Sequence, residues 1–426
     1  MENIIKNIHV IDSKDGAILY SKEANKIFRC NKQVAREIEY YQNGKACNYE
    51  VIHELRNKFT SLEQINIGHS SWIKNGILDK LIINITNQCN LRCVYCFADY
   101  GKYSNHTENA SNLSLKVIGD IFQFLKKYNV RIIKEITFFG GEPLLGGMAI
   151  REVCERFEFE KSKGNILQIP KYTLISNMTI CSEEIIALID RYNIGITASI
   201  DGPQHIHDLQ RITENGDGSY SKVKQNYSRL KKHIQAIEVT YTMNHVRSSM
   251  GVVDVKKWLS KEFDVSEKNI DVVPVSQCQK LQVDTKKYQN LLNDSSFTTE
   301  DTYILSAIQP ALQSDLFCNA GYNRLAIALN GDIYPCQMFV GKDYAKIGNV
   351  NTKAFDLEKL EKISLYRKNY KKCTSCWASK FCRVCPAQIF MNEENMFSDE
   401  KCNQRLQRYE MVIRQICDIK RSVYGK

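Results

Sequence analysis

The sequence predicts an α/β chain: a partial (β/α)6 parallel barrel between a small N-terminal module and a cysteine-rich C-terminal region. Three observations predict it. Between residues 79 and 278, short apolar runs alternate with amphipathic helical stretches, the texture of repeated βα units. Ahead of them, two alternating runs around Asp15-Gly16 lead into short helical patterns. Of the 16 cysteines, most crowd into 89–96 and 318–402 at tight spacings. At 426 residues the chain is too long for one hydrophobic core.

Residues 1–78 form the first expected domain. HVIDSKDGAILYSKEANKIFRCN reads as a hairpin or three-stranded sheet, with turns at Asp15-Gly16 and near Glu23-Ala24-Asn25. NKQVAREIEYY sets Val34, Ile38 and Tyr41 at helical spacing, and YEVIHELRNKF does the same with Val51, Ile52, Leu55 and Phe59. Strands followed by short helices suggest a winged-helix-like module. The barrel, 79–278, opens with LIINIT as a buried strand. LSLKVIGDIFQFLKKY follows as a helix with Val117, Ile118, Ile121, Phe122 and Leu125 on one face and Ser114 as N-cap. EITFFGG, KYTLISN, GITASIDG, IEVTYTMN and IDVVPV supply five further strands, each separated by a helical pattern. A TIM-like barrel places its chemistry at the C-terminal strand ends, where the unusual polar turns fall. Residues 279–316 are polar, then helical from Tyr303 to Leu312, and are expected to bridge to the region 317–426.

Composition narrows the function classes. Hydrophobic residues at 43% and charged residues at 25% suit a soluble globular protein. No run of 18 apolar residues exists, so no membrane partner is expected. MENIIKNIHVIDSKDG lacks the basic start and apolar core of a signal peptide, which predicts a cytoplasmic location. There, clustered cysteines read as metal ligands or catalytic groups before disulfides. The net charge of +10 admits an acidic partner or a solvated lysine-rich surface. No compact basic block with interleaved aromatics argues for nucleic acid.

QCNLRCVYCFADYG holds Cys89, Cys93 and Cys96 within eight residues. Zinc favours four closed ligands, or three with His or Glu among them, and no such extra ligand stands nearby. A cubic iron–sulfur cluster takes thiolates, normally four, so a triplet leaves one iron open to a small molecule. The C-x3-C-x2-C spacing, with Tyr95 before the last cysteine, resembles the signature of radical S-adenosylmethionine enzymes, in which the open iron chelates the amino and carboxylate groups of S-adenosylmethionine. FFGGEPLL resembles the family's next motif, a turn that binds the methionine amino group. Gly140 and Gly141 allow close backbone approach, Glu142 can accept from an ammonium, and Pro143 stiffens the turn. ISNM ends the third strand where the family often has Thr-Asn-Gly. Ser176 and Asn177 keep the hydroxyl and the amide, and Met178 replaces the glycine. SIDG ends the fourth strand. The resemblance implies that Ser199 and Arg211 contact the ribose or carboxylate of the cofactor, with Asp201 also at the site. A surface ion pair for Arg211 and a turn-holding role for Asp201 stay open.

The second cysteine field begins at Cys318 and Cys336, with Asn330-Gly331 as a hairpin turn between them. Cys373-x2-Cys376-x5-Cys382-x2-Cys385 and Cys402 follow. These offsets resemble the SPASM domain, a C-terminal extension carrying two auxiliary iron–sulfur clusters, apart from a final spacing of two residues where three are usual. The resemblance implies one cluster on Cys373, Cys376, Cys382 and Cys402. The other takes Cys318, Cys336 and Cys385, with Cys278, a substrate sulfur or an open iron at the fourth corner. A pair of zinc ribbons is the alternative, since C-x2-C knuckles also hold zinc.

The implied cofactors are therefore S-adenosylmethionine and three [4Fe–4S] clusters, and the implied activity is hydrogen abstraction by a 5′-deoxyadenosyl radical. AILYSKEANKIFRCNKQVAREI resembles the module with which ribosomal-peptide maturases capture a leader peptide as an added strand. The expected partners are a precursor peptide with a leader and an external one-electron donor of flavodoxin or ferredoxin type. The expected product is an intramolecular thioether. The alternatives are carbon–carbon cross-linking and anaerobic sulfatase maturation by formylglycine formation.

Overall fold

A computed structural model describes residues 3–23, 26–60, 72–103, 111–275, 279–281, 318, 320–365, 370–380, 382, 384–387 and 398–424. The expected helix Tyr303 to Leu312, the turn at Ala24-Asn25 and Cys278 lie outside the described residues. Contacts divide the chain into two compact units. One joins Met1–His69 to Phe297–Cys318 and Ser364–Lys426, and the other joins Ser70–Ser296 to Asn319–Ile363.

In the first unit, β1 (Ile8–Ser13), β2 (Gly16–Ser21) and β3 (Lys26–Cys30) form an antiparallel sheet with β2 at its centre. Every residue of β2 is buried, and the packing explains why GAILYS shows no polar face. Leu19 joins Ile8, Ile38, Ile52, Leu55 and Phe59 in a core with the helices Lys32–Gln42 and Tyr49–Thr60. Ile18 and Tyr20, on the opposite pleat, join Ala378, Tyr409, Val412 and Ile413. The last three sit on the helix Asp399–Tyr424. Polar contacts reinforce this second face. The His9 ring stacks on Trp377 at 3.7 Å, and Lys22 Nζ donates to the carbonyls of Thr374 and Cys376 at 2.9 and 3.4 Å. Arg414 Nε donates to the Asp12 carbonyl at 2.8 Å. The sequence placed the N-terminal sheet and the cysteine-rich region in separate domains, whereas they share one core.

The second unit is a ten-stranded sheet, in the order β13-β12-β11-β10-β4-β5-β6-β7-β8-β9. Strands β4 (Ile77–Thr86), β5 (Ile132–Gly140), β6 (Lys171–Ser176), β7 (Gly195–Ser199), β8 (Ile234–Tyr241) and β9 (Ile270–Pro274) run parallel in chain order. Helices Leu115–Lys127, Gly147–Ser162, Glu183–Tyr192, Tyr220–Leu230 and Val252–Phe263 connect them. Ser114 caps the first of these helices by accepting from Val117 N. Consecutive parallel order with a helical crossover after each strand is what a partial barrel requires. Residues 319–363 also join this unit. β10 (Arg324–Ile327) pairs parallel with β4, and its hairpin with β11 (Asp332–Tyr334) turns at Gly331, whose φ is +85°. The short β12 (Gly348–Asn349) and β13 (Ala354–Phe355) complete the edge. Trp72 is fully buried against Phe124, Tyr128 and Phe355, and its Nε1 donates to the Gly321 carbonyl at 3.1 Å. No helix among the described residues is long and apolar enough to cross a membrane.

Candidate active site

A cavity of about 300 Å³ opens at the C-terminal ends of β4 to β9. Cys89, Cys93, Tyr95, Cys96, Gly140, Gly141, Glu142, Ser176, Asn177, Ser199 and Arg211 all line it. Pro143 and Asp201 do not, although both were expected at the cofactor. Pro143 opens the short turn Pro143–Gly146 behind Glu142.

The cysteine loop is held on two sides. Arg92 N and Val94 N donate to the carbonyls of Ile212 and Gln210 at 2.7 and 3.0 Å, tying the loop to the segment that carries Arg211. On the other side Gly141 N and Glu142 N donate to the carbonyls of Thr86 and Gln88 at 2.9 and 2.8 Å. A Cβ on Gly140 would lie 2.3 Å from Thr86 O, and one on Gly141 would lie 2.2 Å from Gln88 O. The glycines are thus demanded by the chain's own backbone, where the sequence suggested a ligand.

Glu142 is 1% exposed. Its carboxylate accepts from Leu144 N (3.1 Å), Ser176 Oγ (2.9 Å) and Asn177 N (2.7 Å). Burial pushes its pKa up to about 7 against these donors. Asn177 Nδ2 donates to Asn90 Oδ1 at 3.0 Å and lies 3.9 Å from Cys89 Sγ. Met178, at the family's glycine position, is buried with φ +61°. Its left-handed turn is fixed by Met178 N donating to Ser176 Oγ (2.9 Å) and Asn226 Nδ2 donating to Met178 O (2.9 Å).

Asp201 is a hub behind the wall. It is fully buried. Tyr95 Oη donates to its Oδ2 at 2.5 Å, Gln210 Nε2 donates to Oδ2 at 3.2 Å and Thr240 N donates to Oδ1 at 3.0 Å. Arg211 Nε stands 3.1 Å from Oδ2. Two buried histidines grip its backbone: Asp201 N donates to His207 Nδ1 at 3.3 Å, and His245 Nε2 pairs with Asp201 O at 2.6 Å. Burial opposes the Arg211 charge most strongly, but Asp201, Tyr95 and Cys93 together outweigh it and hold the guanidinium protonated. Asp201 therefore positions Tyr95 and Arg211.

Burial raises the Cys89 thiol and pushes Cys93 up to about 12. A thiolate there needs a neighbouring cation, which iron supplies. Cys373, Cys376, Cys382 and Cys402 line a second cavity of about 200 Å³, within the first unit, beside Lys372 and Arg405. Among the described residues no three His, Cys, Asp or Glu side chains are grouped for one metal ion. The thiols share cavity walls instead of a single point, which suits a cluster filling the space between them. Both donor sets fit iron–sulfur clusters in number and chemistry. Of the remaining set, Cys336 is buried and N-caps the turn Gln337–Phe339 in the barrel unit. Cys318 and Cys385 belong to the other unit.

Several cavity residues escaped the sequence reading: Phe97, Phe139, Glu238, Thr240, Gln337 and Met338. Glu238 left a signal, a charge inside the apolar alternation of IEVTYT. Burial raises its pKa. Gln337 and Met338 left none beyond following Cys336.

Two family models match. Radical SAM superfamily covers residues 83–247, and the SPASM iron–sulfur cluster-binding domain covers 318–377. The chain is similar to the radical SAM cyclopropyl synthase TigE of Paramaledivibacter caminithermalis, 24% identical across 88% of this chain and 81% of the relative. A cysteine-type anaerobic sulfatase-maturating enzyme of Clostridium novyi is 24% identical across 65% of this chain and 78% of the relative. Streptococcus suis SuiB bound to precursor peptide SuiA shares the fold, with a TM-score of 0.51 at 17% identity over 91% of this chain and 96% of SuiB. The cofactors that go with these domains are S-adenosylmethionine, a [4Fe–4S] cluster in the barrel and auxiliary iron–sulfur clusters in the SPASM domain. With its motif residues gathered at one barrel mouth, the chain belongs to the radical S-adenosylmethionine enzymes that carry a C-terminal SPASM domain.

Proposed function

We propose that the enzyme matures a ribosomally made precursor peptide by forming intramolecular thioethers. One observation carries the reading: Cys336, an expected iron ligand, directly precedes Gln337 and Met338, which line the same cavity as Cys89, Cys93 and Cys96. Iron bound at Cys336 would stand one residue from the cavity wall, and a substrate thiolate is a fitting ligand for an incomplete thiolate set. When bound, the cofactors supply a carbon-centred oxidant for C–H bonds and a one-electron acceptor. Cys89, Cys93 and Cys96 would hold the catalytic cluster. Glu142, Ser176, Asn177, Ser199 and Arg211 would orient S-adenosylmethionine, and Tyr95 would support Arg211. The balance closes. A peptide carbon gives one hydrogen atom to the 5′-deoxyadenosyl group, the peptide thiol releases a proton, the C–S bond forms, and one electron leaves. An external flavodoxin- or ferredoxin-type donor supplies the electron that starts each turnover, in a reducing cytoplasm.

The N-terminal sheet would take the leader. Among the described residues β3 pairs only with β2, so its outer edge is open to an added strand. The likeness to TigE, spanning 88% of this chain, supports a second reading in which the new bond joins two carbons. The sulfatase-maturase relative covers 65% of the chain and supports formylglycine formation less well. The test is anaerobic incubation of the reconstituted enzyme with the short peptides encoded beside its gene. A thioether removes two hydrogens per link and one alkylatable thiol. Loss of two hydrogens from a Cys→Ser peptide would favour carbon–carbon bonding, and no mass change in any such peptide would end the maturase reading.

A further inference from the structure

We infer that Gln337 reads the backbone of the bound peptide, its Oε1 accepting a substrate peptide N–H. The inference rests on the peptide-maturase reading above and goes further by naming what is recognised. Among the described residues lining the cavity, two carry a buried side-chain polar atom with no hydrogen-bond partner, Arg211 Nε and Gln337 Oε1. Arg211 Nε faces the Asp201 carboxylate at 3.1 Å, so its charge is matched. Gln337 Oε1 faces no donor. A buried carbonyl left unpaired costs the desolvation of its lone pairs, and the cost is recovered when a ligand brings the missing N–H.

Peptide is favoured over cofactor as that ligand by where Gln337 sits. The groups suited to S-adenosylmethionine come from the ends of β4 to β7 and from Arg211. Glu142, Ser176 and Asn177 are each already hydrogen-bonded into place. Gln337 instead enters on the turn Gln337–Phe339, within the SPASM-matched segment. Among its described residues, that segment brings only Gln337 and Met338 to the cavity wall. A primary amide presents an acceptor and donors side by side, the complement of a peptide unit's N–H and C=O. A flexible thioether next to it accommodates varied side chains. Together they form a subsite that engages main chain without demanding a particular residue.

The experiment uses full-length enzyme with its clusters reconstituted, and acetyl-Gly-Cys-Gly-amide as the probe. Dissociation constants for the probe and for S-adenosylmethionine are measured by equilibrium titration. Gln337→Met, close in volume, is expected to weaken probe binding about tenfold, the loss of one hydrogen bond, and to leave S-adenosylmethionine affinity within about twofold. Gln337→Glu, which keeps an acceptor oxygen, retains more probe affinity than Gln337→Met. N-methylating the probe's backbone amides reproduces the loss in wild type and adds nothing in Gln337→Met. Equal weakening of S-adenosylmethionine would assign Gln337 to the cofactor, and unchanged probe binding in Gln337→Met, or no probe binding by wild type, would also overturn the inference. If the probe results hold while no precursor peptide loses hydrogens, the recognition stands and the maturase reading falls.

Discussion

Two cavities, one in each unit, present thiols, and they differ in what accompanies the sulfur. The barrel cavity has Cys89, Cys93 and Cys96 together with two carboxylates, two amides and a guanidinium. The cavity between Cys373 and Cys402 has four thiols, flanked by Lys372, Asp399 and Arg405. A fourth thiolate closes a cubic cluster, whereas its omission leaves an iron that a chelating small molecule can occupy. The surroundings follow suit. The three-thiol cavity is walled by groups that bind amino, carboxylate and hydroxyl functions, and the four-thiol cavity sits against the aliphatic and aromatic side of Leu406 and Tyr409. The contrast is between a thiol set that leaves a position for a further ligand and one that is complete in itself.

The strongest test removes one thiol from each. Cys93→Ser is expected to bring 5′-deoxyadenosine formation to background and to lower iron by about four atoms per chain. Cys402→Ser should lower iron comparably but preserve the spectral change that S-adenosylmethionine induces in the barrel cluster. If Cys402→Ser also erased that change, the division of labour would be wrong. A second perturbation strikes only the barrel. Asp201→Asn leaves the buried Arg211 without its carboxylate and should lower stability by about 3–5 kcal/mol in urea unfolding, while iron bound by the other unit stays.

Acid should act on the barrel in the same selective way. Burial depresses the His207 pKa to about 4, from an ordinary 6.5. The neutral ring is favoured by folding, so its contribution of about 3 kcal/mol is complete above pH 6.5 and vanishes as pH falls through about 4. Unfolding midpoints of His207→Gln should be flatter over that window. Met178→Gly sets two terms against each other. Relief of left-handed strain returns about 1–2 kcal/mol, but loss of a fully buried methionine costs about 2–5, so a net destabilisation of about 2 kcal/mol is expected from thermal unfolding. The smallest effect belongs to the other unit. Lys22→Met loses its donation to the Thr374 and Cys376 carbonyls and should cost at most about 1 kcal/mol, with the barrel spectrum unaltered.

The six parallel strands and the three-thiol loop were legible because each rests on local pattern: apolar runs of strand length, and cysteines a few residues apart. The four-thiol set was legible only through the family resemblance, since spacing does not say that Cys402, far down the chain, joins Cys373, Cys376 and Cys382 in place of Cys385. Three things were not. The hub at Asp201 depends on Tyr95, Thr240, His207 and His245, which only the fold brings together. The demand for Gly140 and Gly141 comes from Thr86 and Gln88 across a strand pairing. Gln337 announces nothing in sequence, because an orphaned acceptor is defined by its surroundings.

Strand β2 has no solvent face, and its second cover comes from residues 378–417. The opening thirty residues therefore cannot reach their final state until nearly the whole polypeptide has left the ribosome. Ile18 and Tyr20 wait, uncovered, through synthesis of the barrel. Such long-range closure is slow and exposes sticky surface meanwhile. Truncated products of this gene should accordingly depend on chaperones, and a permuted chain joining the helix Asp399–Tyr424 ahead of β1 should mature faster.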